Sequence, residues 1–350
     1  MAAQPRTHND YTVGWVCALP KEQTAAIAML DQEHPDLPKL PNDPNTYTLG
    51  SIGDHNIVIT CLPTGKIGTV PAATVATHMV HAFPSVKFGL MVGIGGGIPP
   101  KVRLGDVVVG VPVGQYPGVV QWDFGKEEKG GKFSRTGSLN KPPDLLLGAV
   151  SKLRSRNELG GSKVPSYLTA MASKYPSLIP TYLRSEALRD VLFKAAYEHK
   201  EAAPTPAHAD TPVTKDDKEE EEEEEEEEES CRYCDNTMVV HRQPRDMRVH
   251  YGLIASGNSV IKNAIFRKNL RRDLGKDVLC VEMEAAGLMD SFLCIVIRGI
   301  CDYADSYKNK VWQEHAAAVA AAFAKELLGY VQPSEVDREK AVKDMLGPRQ

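Results

Sequence analysis

The sequence predicts an α/β fold with a largely parallel sheet covered by helices on both faces. Three observations point there: short apolar runs rich in β-branched residues alternate with helical stretches, glycine turns follow several of those runs, and the alternation resumes after a long polar interruption. Residues 11–18 form the first strand. Residues 21–30 form a short helix behind Pro20, whose fixed φ suits a helix start. Residues 57–62 are a second strand, and after the turn Thr64-Gly65-Lys66-Ile67-Gly68 an alanine-rich helix covers 70–82. Residues 88–94 are a buried strand running into Gly95-Gly96-Gly97, and 106–113 another. Residues 145–154 and 182–200 have the apolar spacing of amphipathic helices. Strand 251–255, the turn Ser256-Gly257-Asn258 and helix 260–270 follow. A helix near Glu284, strand 293–300 and an alanine-rich helix over 312–331 close the series.

With 350 residues, 42% hydrophobic and 25% charged, the chain has the composition of an ordinary globular protein. Its formal charge of −5 is dominated by the unbroken run Glu219–Glu229; without those eleven charges the rest carries +6. Such a run repels itself and cannot pack. Residues 201–245, rich in Pro, Ala, Glu and Lys, are therefore expected to be a disordered insertion in one domain spanning 11–332, between a disordered 1–10 and a flexible 333–350. The remaining basic residues are scattered without interleaved aromatics, which argues against nucleic acid as a partner. No stretch approaches the roughly 18 apolar residues of a membrane span, and the N-terminus lacks a signal core. Seven cysteines, mostly inside apolar runs, fit a reducing cytoplasm. Cys231-Arg232-Tyr233-Cys234 has half a zinc knuckle's spacing but no second pair, so it reads as linker and no metal is expected.

The chemistry concentrates in acidic residues at strand ends. Val281-Glu282-Met283-Glu284-Ala285-Ala286 is followed, eighteen residues after Glu284, by Asp302 in Arg298-Gly299-Ile300-Cys301-Asp302. Glu22 lies just past the first strand, and in parallel α/β folds the ligand crevice lies beyond the carboxyl ends of strands. Each carboxylate alone is as well explained by a helix cap or a dipole interaction. Together they suit gripping vicinal hydroxyls and handing a proton to a leaving group, which points to a bond to a sugar. Gly93-Ile94-Gly95-Gly96-Gly97 is neither a dinucleotide fingerprint nor a P-loop, and no cofactor is expected.

These stretches resemble the nucleoside phosphorylase/nucleosidase superfamily, most closely methylthioadenosine/S-adenosylhomocysteine nucleosidases and related fungal domains. The matching segments are 16–22, 64–68, 91–97 with 104–108, 254–258, 281–284 and 298–302, in order over about residues 11–331. The resemblance implies a three-layer α/β/α sandwich around a twisted mixed, mainly parallel sheet, and a homo-oligomer acting on a small purine nucleoside. It implies that Asp302 holds and protonates the base. Glu284, with Met283 and Glu282, binds the ribose hydroxyls, and Glu22 activates water with Arg298 nearby. Residues 255–261, among them Ala255, Asn258, Val260 and Ile261, line the base pocket, while Gly95 and Gly96 lie along the nucleoside. Phosphorylases of the superfamily place a hydroxyl residue where this chain has Ile94, and arginines where it has Pro20-Lys21-Glu22. A carboxylate repels phosphate, so hydrolysis is expected over phosphorolysis, although Lys21, Lys66 and Arg103 keep the latter open. The nucleosidases also carry Ser and Asp where this chain has Cys301 and Asn258. A nucleoside-sensing module is the expectation from a different class.

Overall fold

The structure, a computed structural model, describes residues 6–130, 132–197, 234–307 and 310–345. The glutamate run and residues 1–5 lie outside them. The chain proceeds through β1 (Val13–Cys17), α1 (Pro20–Met29), β2 (Gln32–His34), β3 (Tyr47–Ile52), β4 (His55–Cys61), α2 (Thr69–Ala82), β5 (Phe88–Gly97), β6 (Val107–Gly110) and β7 (Val119–Gln121). The hairpin β8 (Gly125–Glu128) and β9 (Lys132–Arg135) follows, then α3 (Asp144–Gly160), α4 (Val164–Lys174) and α5 (Ile179–Tyr182). Beyond the acidic segment come β10 (Val249–Ser256), α6 (Ala264–Leu274), β11 (Val278–Glu282), β12 (Cys294–Asp302), α7 (Gln313–Leu328), α8 (Pro333–Val336) and α9 (Val342–Met345).

One mixed sheet runs β11-β10-β6-β12-β5-β1-β4-β3-β2, with β7 beside β10. Its centre is parallel: β1 pairs with β4 and β5, and β12 with β5, while β6 runs against β12. Alternation along the strands sorts side chains to two faces. Trp15, Leu90, Ile295 and Ile297 meet α1, α4 and α7, whereas Val16, Met91 and Val296 meet α2 and residues 285–292. Each such side chain, fully buried, stabilises the fold by about 1.5–3 kcal/mol relative to exposure. The expected sandwich of helices, sheet and helices is therefore present. Alanines 316–318, 320–322 and 324 keep α7 slim enough to lie against β5 and β12.

Several expectations need correction. Helical spacing over 182–200 does not become a helix in the described part: α5 ends at Tyr182 and the chain beyond runs irregularly. Its backbone groups pair instead with the far side of the acidic segment, Lys194 N–H donating to Met238 O at 2.9 Å and Val240 N–H to Leu192 O at 2.8 Å. Leu188, Leu192 and Phe193 are buried in that extended course. Residues 234–245 are consequently not loose insertion; Arg242 reaches Asp190 at 2.9 Å, and Arg245 bonds Asp106. The helix expected at 260–270 begins later, because Asn263 caps it by accepting from Ile265 N and Phe266 N at 2.9 Å each. Near Glu284 there is a single 3-10 turn, Ala285–Gly287. At the termini, His8–Asp10 is a 3-10 turn with His8 against Phe83, and the expected flexible tail buries Val336, Ala341 and Val342.

Candidate active site

Glu22 stands at the third position of α1, where its Oε2 accepts from Ala18 N (2.7 Å) and Leu19 N (3.0 Å). Its Oε1 accepts from Ile94 N at 2.8 Å, so the carboxylate bridges the first helix to the end of β5. Glu282 ends β11, and its Oε2 accepts from Glu284 N (3.1 Å) and Ala285 N (3.0 Å), which locks the turn that carries Glu284. Glu284 Oε1 receives Gly68 N–H at 3.3 Å. Asp302 ends β12 beside a register shift that sets it opposite Gly96, and its Oδ1 accepts from Ala304 N at 2.7 Å.

Arg298, 1% exposed, lies beneath these groups. Its Nη2 bonds Glu282 and comes within 3.4 Å of Glu284 Oε2, while Nη1 is 4.0 Å from Glu22 Oε1. A bare β5 makes this possible: a Cβ at Gly93 would lie 2.6 Å from Arg298 Nη1, and one at Gly96 2.8 Å from Asp302 Oδ1. The sheet brings together what the sequence separates: β5 pairs with β1, after which Glu22 follows, and with β12, which carries Arg298.

The electrostatics follow from burying one cation among three carboxylates. Burial raises Glu22 above the usual carboxylate range, with Arg298 and the three backbone N–H groups pulling the other way. Burial pushes Glu284 up to about 7, against the pull of Arg298 and with help from the charges of Glu282 and Glu22. Burial alone would lower Arg298, but the surrounding carboxylates hold it above its ordinary value, so it stays charged. Asp305, three residues past Asp302, pairs with a different cation: Arg267 Nη1 meets its Oδ2 at 3.0 Å.

A cavity of about 150 Å³ opens over this cluster. Of the residues expected from sequence, Glu22, Gly95, Gly96, Val260, Ile261, Glu282, Met283, Glu284 and Asp302 line it. Arg298 sits behind the wall. Ala255, a residue of β10, is fully buried in the core, and Asn258 acts as a clasp, its Oδ1 accepting from Thr69 N (3.1 Å) and Thr69 Oγ1 (2.8 Å). These two residues are not part of the lining. Sequence reasoning missed Leu19, Ile67, Cys301, Ala304 and Gln313 as lining residues. Ile67 and Cys301 lie inside motifs already singled out, whereas Gln313 enters from the start of α7 with no local signal at all.

A buried acid and further carboxylates lining one open cavity can bind hydroxyls and exchange protons. Comparison with known proteins gives the family. The family model of the phosphorylase superfamily matches residues 12–331. A nucleotide-binding leucine-rich repeat (NLR)-like protein of Hyaloscypha variabilis is 45% identical over 340 residues, 95% of this chain, and the chain spans 30% of that relative's length. Among solved structures, futalosine hydrolase of Helicobacter pylori superposes with a TM-score of 0.54 at 16% identity, covering 92% of this chain and 99% of that one. The 5′-methylthioadenosine/S-adenosylhomocysteine nucleosidase of Neisseria meningitidis, solved with methylthio-immucillin-A, gives 0.54 at 16% identity over 91% and 98%. Both share the fold. Order of motifs, sheet topology and family match agree: this chain belongs to the phosphorylase superfamily.

Proposed function

We propose that the protein is a purine nucleosidase, which transfers the ribosyl group of an adenosine-type nucleoside to water. The observation that carries this reading is the convergence of Glu22, Glu284 and Asp302 on one cavity, which Met283 also lines. Breaking an N-glycosidic bond builds positive charge on the ribose and negative charge on the base. Asp302, in the protonated form, relieves the second by donating to the leaving base. Glu284 accepts hydrogen bonds from the ribose hydroxyls, and Glu22 orients and deprotonates the attacking water. The nucleosidases among the structural neighbours, including one solved with methylthio-immucillin-A, support the substrate class.

Water is favoured over phosphate by the fate of the nearby cations. Lys21 Nζ is held by Gln313 Oε1 (2.9 Å) and Glu314 Oε1 (2.6 Å), and Arg103 Nη1 donates to Gln243 O at 2.6 Å. Lys66 is exposed, and Ile94 supplies no hydroxyl to the wall. The test is release of free base from adenosine, inosine and methylthioadenosine in phosphate-free buffer; base release that needs added phosphate would replace the hydrolase with a phosphorylase. A second reading has one observation in its favour, the 45% identity to an NLR-like protein more than three times as long. In it the cavity senses a nucleoside without turning it over. Tight adenosine binding with no base release would establish that reading instead.

A further inference from the structure

Glu282 differs from its neighbours in one respect. Its Oε2 is saturated by Glu284 N, Ala285 N and Arg298, yet its Oε1 is buried and has no hydrogen-bond partner. Its side chain is 1% exposed, and the residue belongs to the lining of the same cavity as Glu22 and Asp302. An ionised carboxylate oxygen left bare in a buried site is costly, on the order of 1–3 kcal/mol or more, unless a ligand or water donates to it. Arg298 Nε, just below, is likewise without a partner. By contrast, Glu22 already accepts three backbone N–H groups, which leaves a single lone-pair direction open.

We propose that Glu282 is a further catalytic residue, whose Oε1 holds the attacking water jointly with Glu22. This rests on the nucleosidase reading above. A water that attacks a ribose carbon has two hydrogens to place. One passes to Glu22 as the new C–O bond forms and the C–N bond breaks, its electron pair leaving with the base, which takes a proton from Asp302. The other stays on the oxygen, becomes the hydroxyl of the released ribose, and is held throughout by Glu282 Oε1. Oε2 meanwhile fixes the Glu284 turn, so one side chain aligns the water against the sugar it attacks.

Aqueous methanol separates this role from a structural one, because methanol has one hydroxyl hydrogen where water has two. The experiment measures base release from adenosine by the wild type, Glu282→Gln and Glu282→Asp, with the ratio of methyl riboside to ribose in mixed solvent. The expected result for Glu282→Gln is a loss in kcat of about 10²-fold. Its KM should change little, and its methyl riboside to ribose ratio should rise severalfold, while Glu282→Asp recovers part of the loss. Wild-type kcat in Glu282→Gln, or a loss with an unchanged product ratio, overturns the inference alone. If Glu282→Gln does not fold, Glu282→Asp decides by the same ratio, which should still rise, though less, because the shorter carboxylate holds the water less closely. A wild type that releases no base from any nucleoside removes the nucleosidase reading and this inference with it.

Discussion

At the scale of single residues, the site divides its labour between a proton donor and a charged wall. Asp302 stands apart from Arg298, bonded to Ala304 N, whereas Glu22, Glu282 and Glu284 share that one guanidinium. Replacing Asp302 by Asn keeps the shape and removes the proton, so turnover should drop by about 10²–10⁴-fold with thermal stability unchanged. Steady-state base release checks it, and wild-type turnover in that variant would remove Asp302 from the mechanism. Glu284 makes a pH prediction. Burial first, and the neighbouring carboxylates after it, push this group up to about 7. The ionised form accepts the ribose hydroxyls, so KM for a nucleoside should rise as pH falls through about 7, and Glu284→Gln should flatten that limb. The stability sign is opposite. Because the folded value is raised above the ordinary one, the contribution to stability is complete below about 4.5 and is lost as pH rises through about 7. Glu284→Gln should therefore gain melting temperature, relative to wild type, at pH 8 but not at pH 4; an equal gain at both would contradict the burial argument.

At the scale of elements, the segment entering β10 is pinned to β6 by one carboxylate. Asp106 is 1% exposed, and it accepts from Arg245, from His250 Nε2 at 2.8 Å and from Arg248 N at 2.9 Å. Burial would raise its carboxyl, but the bonds from Arg245 and His250 outweigh that and hold it below the usual range. Asp106→Asn should cost on the order of 3 kcal/mol at pH 7, the low end for a buried pair because Arg245 and His250 are partly exposed. Urea unfolding measures this, and a cost below about 1 kcal/mol would show that the backbone bonds alone hold the strand. With the pKa lowered, the stabilisation is present above the ordinary value and lost as pH falls from there through the lowered value of the folded protein. Strand legibility varied for a physical reason at this same scale. Central strands such as β1 and β5 are continuous apolar runs, easy to read because both faces are buried. β3, with its Tyr47–Ile52 mixture of polar and apolar residues, passed unnoticed, and so did the short β7, β8 and β9. Residues 183–197 carried helical spacing, yet hydrogen bonds offered by residues 238–240, distant in the chain, decided their course.

For the whole molecule, the consequence of the topology is that neither half can be a unit. β10, β11 and β12 come from beyond the acidic segment, but β12 lies between β5 and β6, and β10 between β6 and β11. Arg298 from the second half neutralises Glu22 from the first. A specific protease site engineered within residues 201–233 should accordingly give two fragments that co-elute on size exclusion and keep base-release activity. Separation of the fragments without denaturant would contradict this interleaving.

By itself the sequence determined the central strands β1, β4, β5 and β12 with the helices α1, α2 and α7, the glycine stretch that leaves room beside β5, and the placing of Glu22, Glu284 and Asp302 just past or at strand ends. All of these follow from local patterning, which a chain carries whatever its distant parts do. Only the tertiary structure decided which acids share Arg298, that Asp305 turns to Arg267, that Asn258 clasps Thr69 and that Gln313 reaches the cavity. Those outcomes depend on sheet register between segments up to some hundreds of residues apart, and on which buried charge finds its counter-ion there.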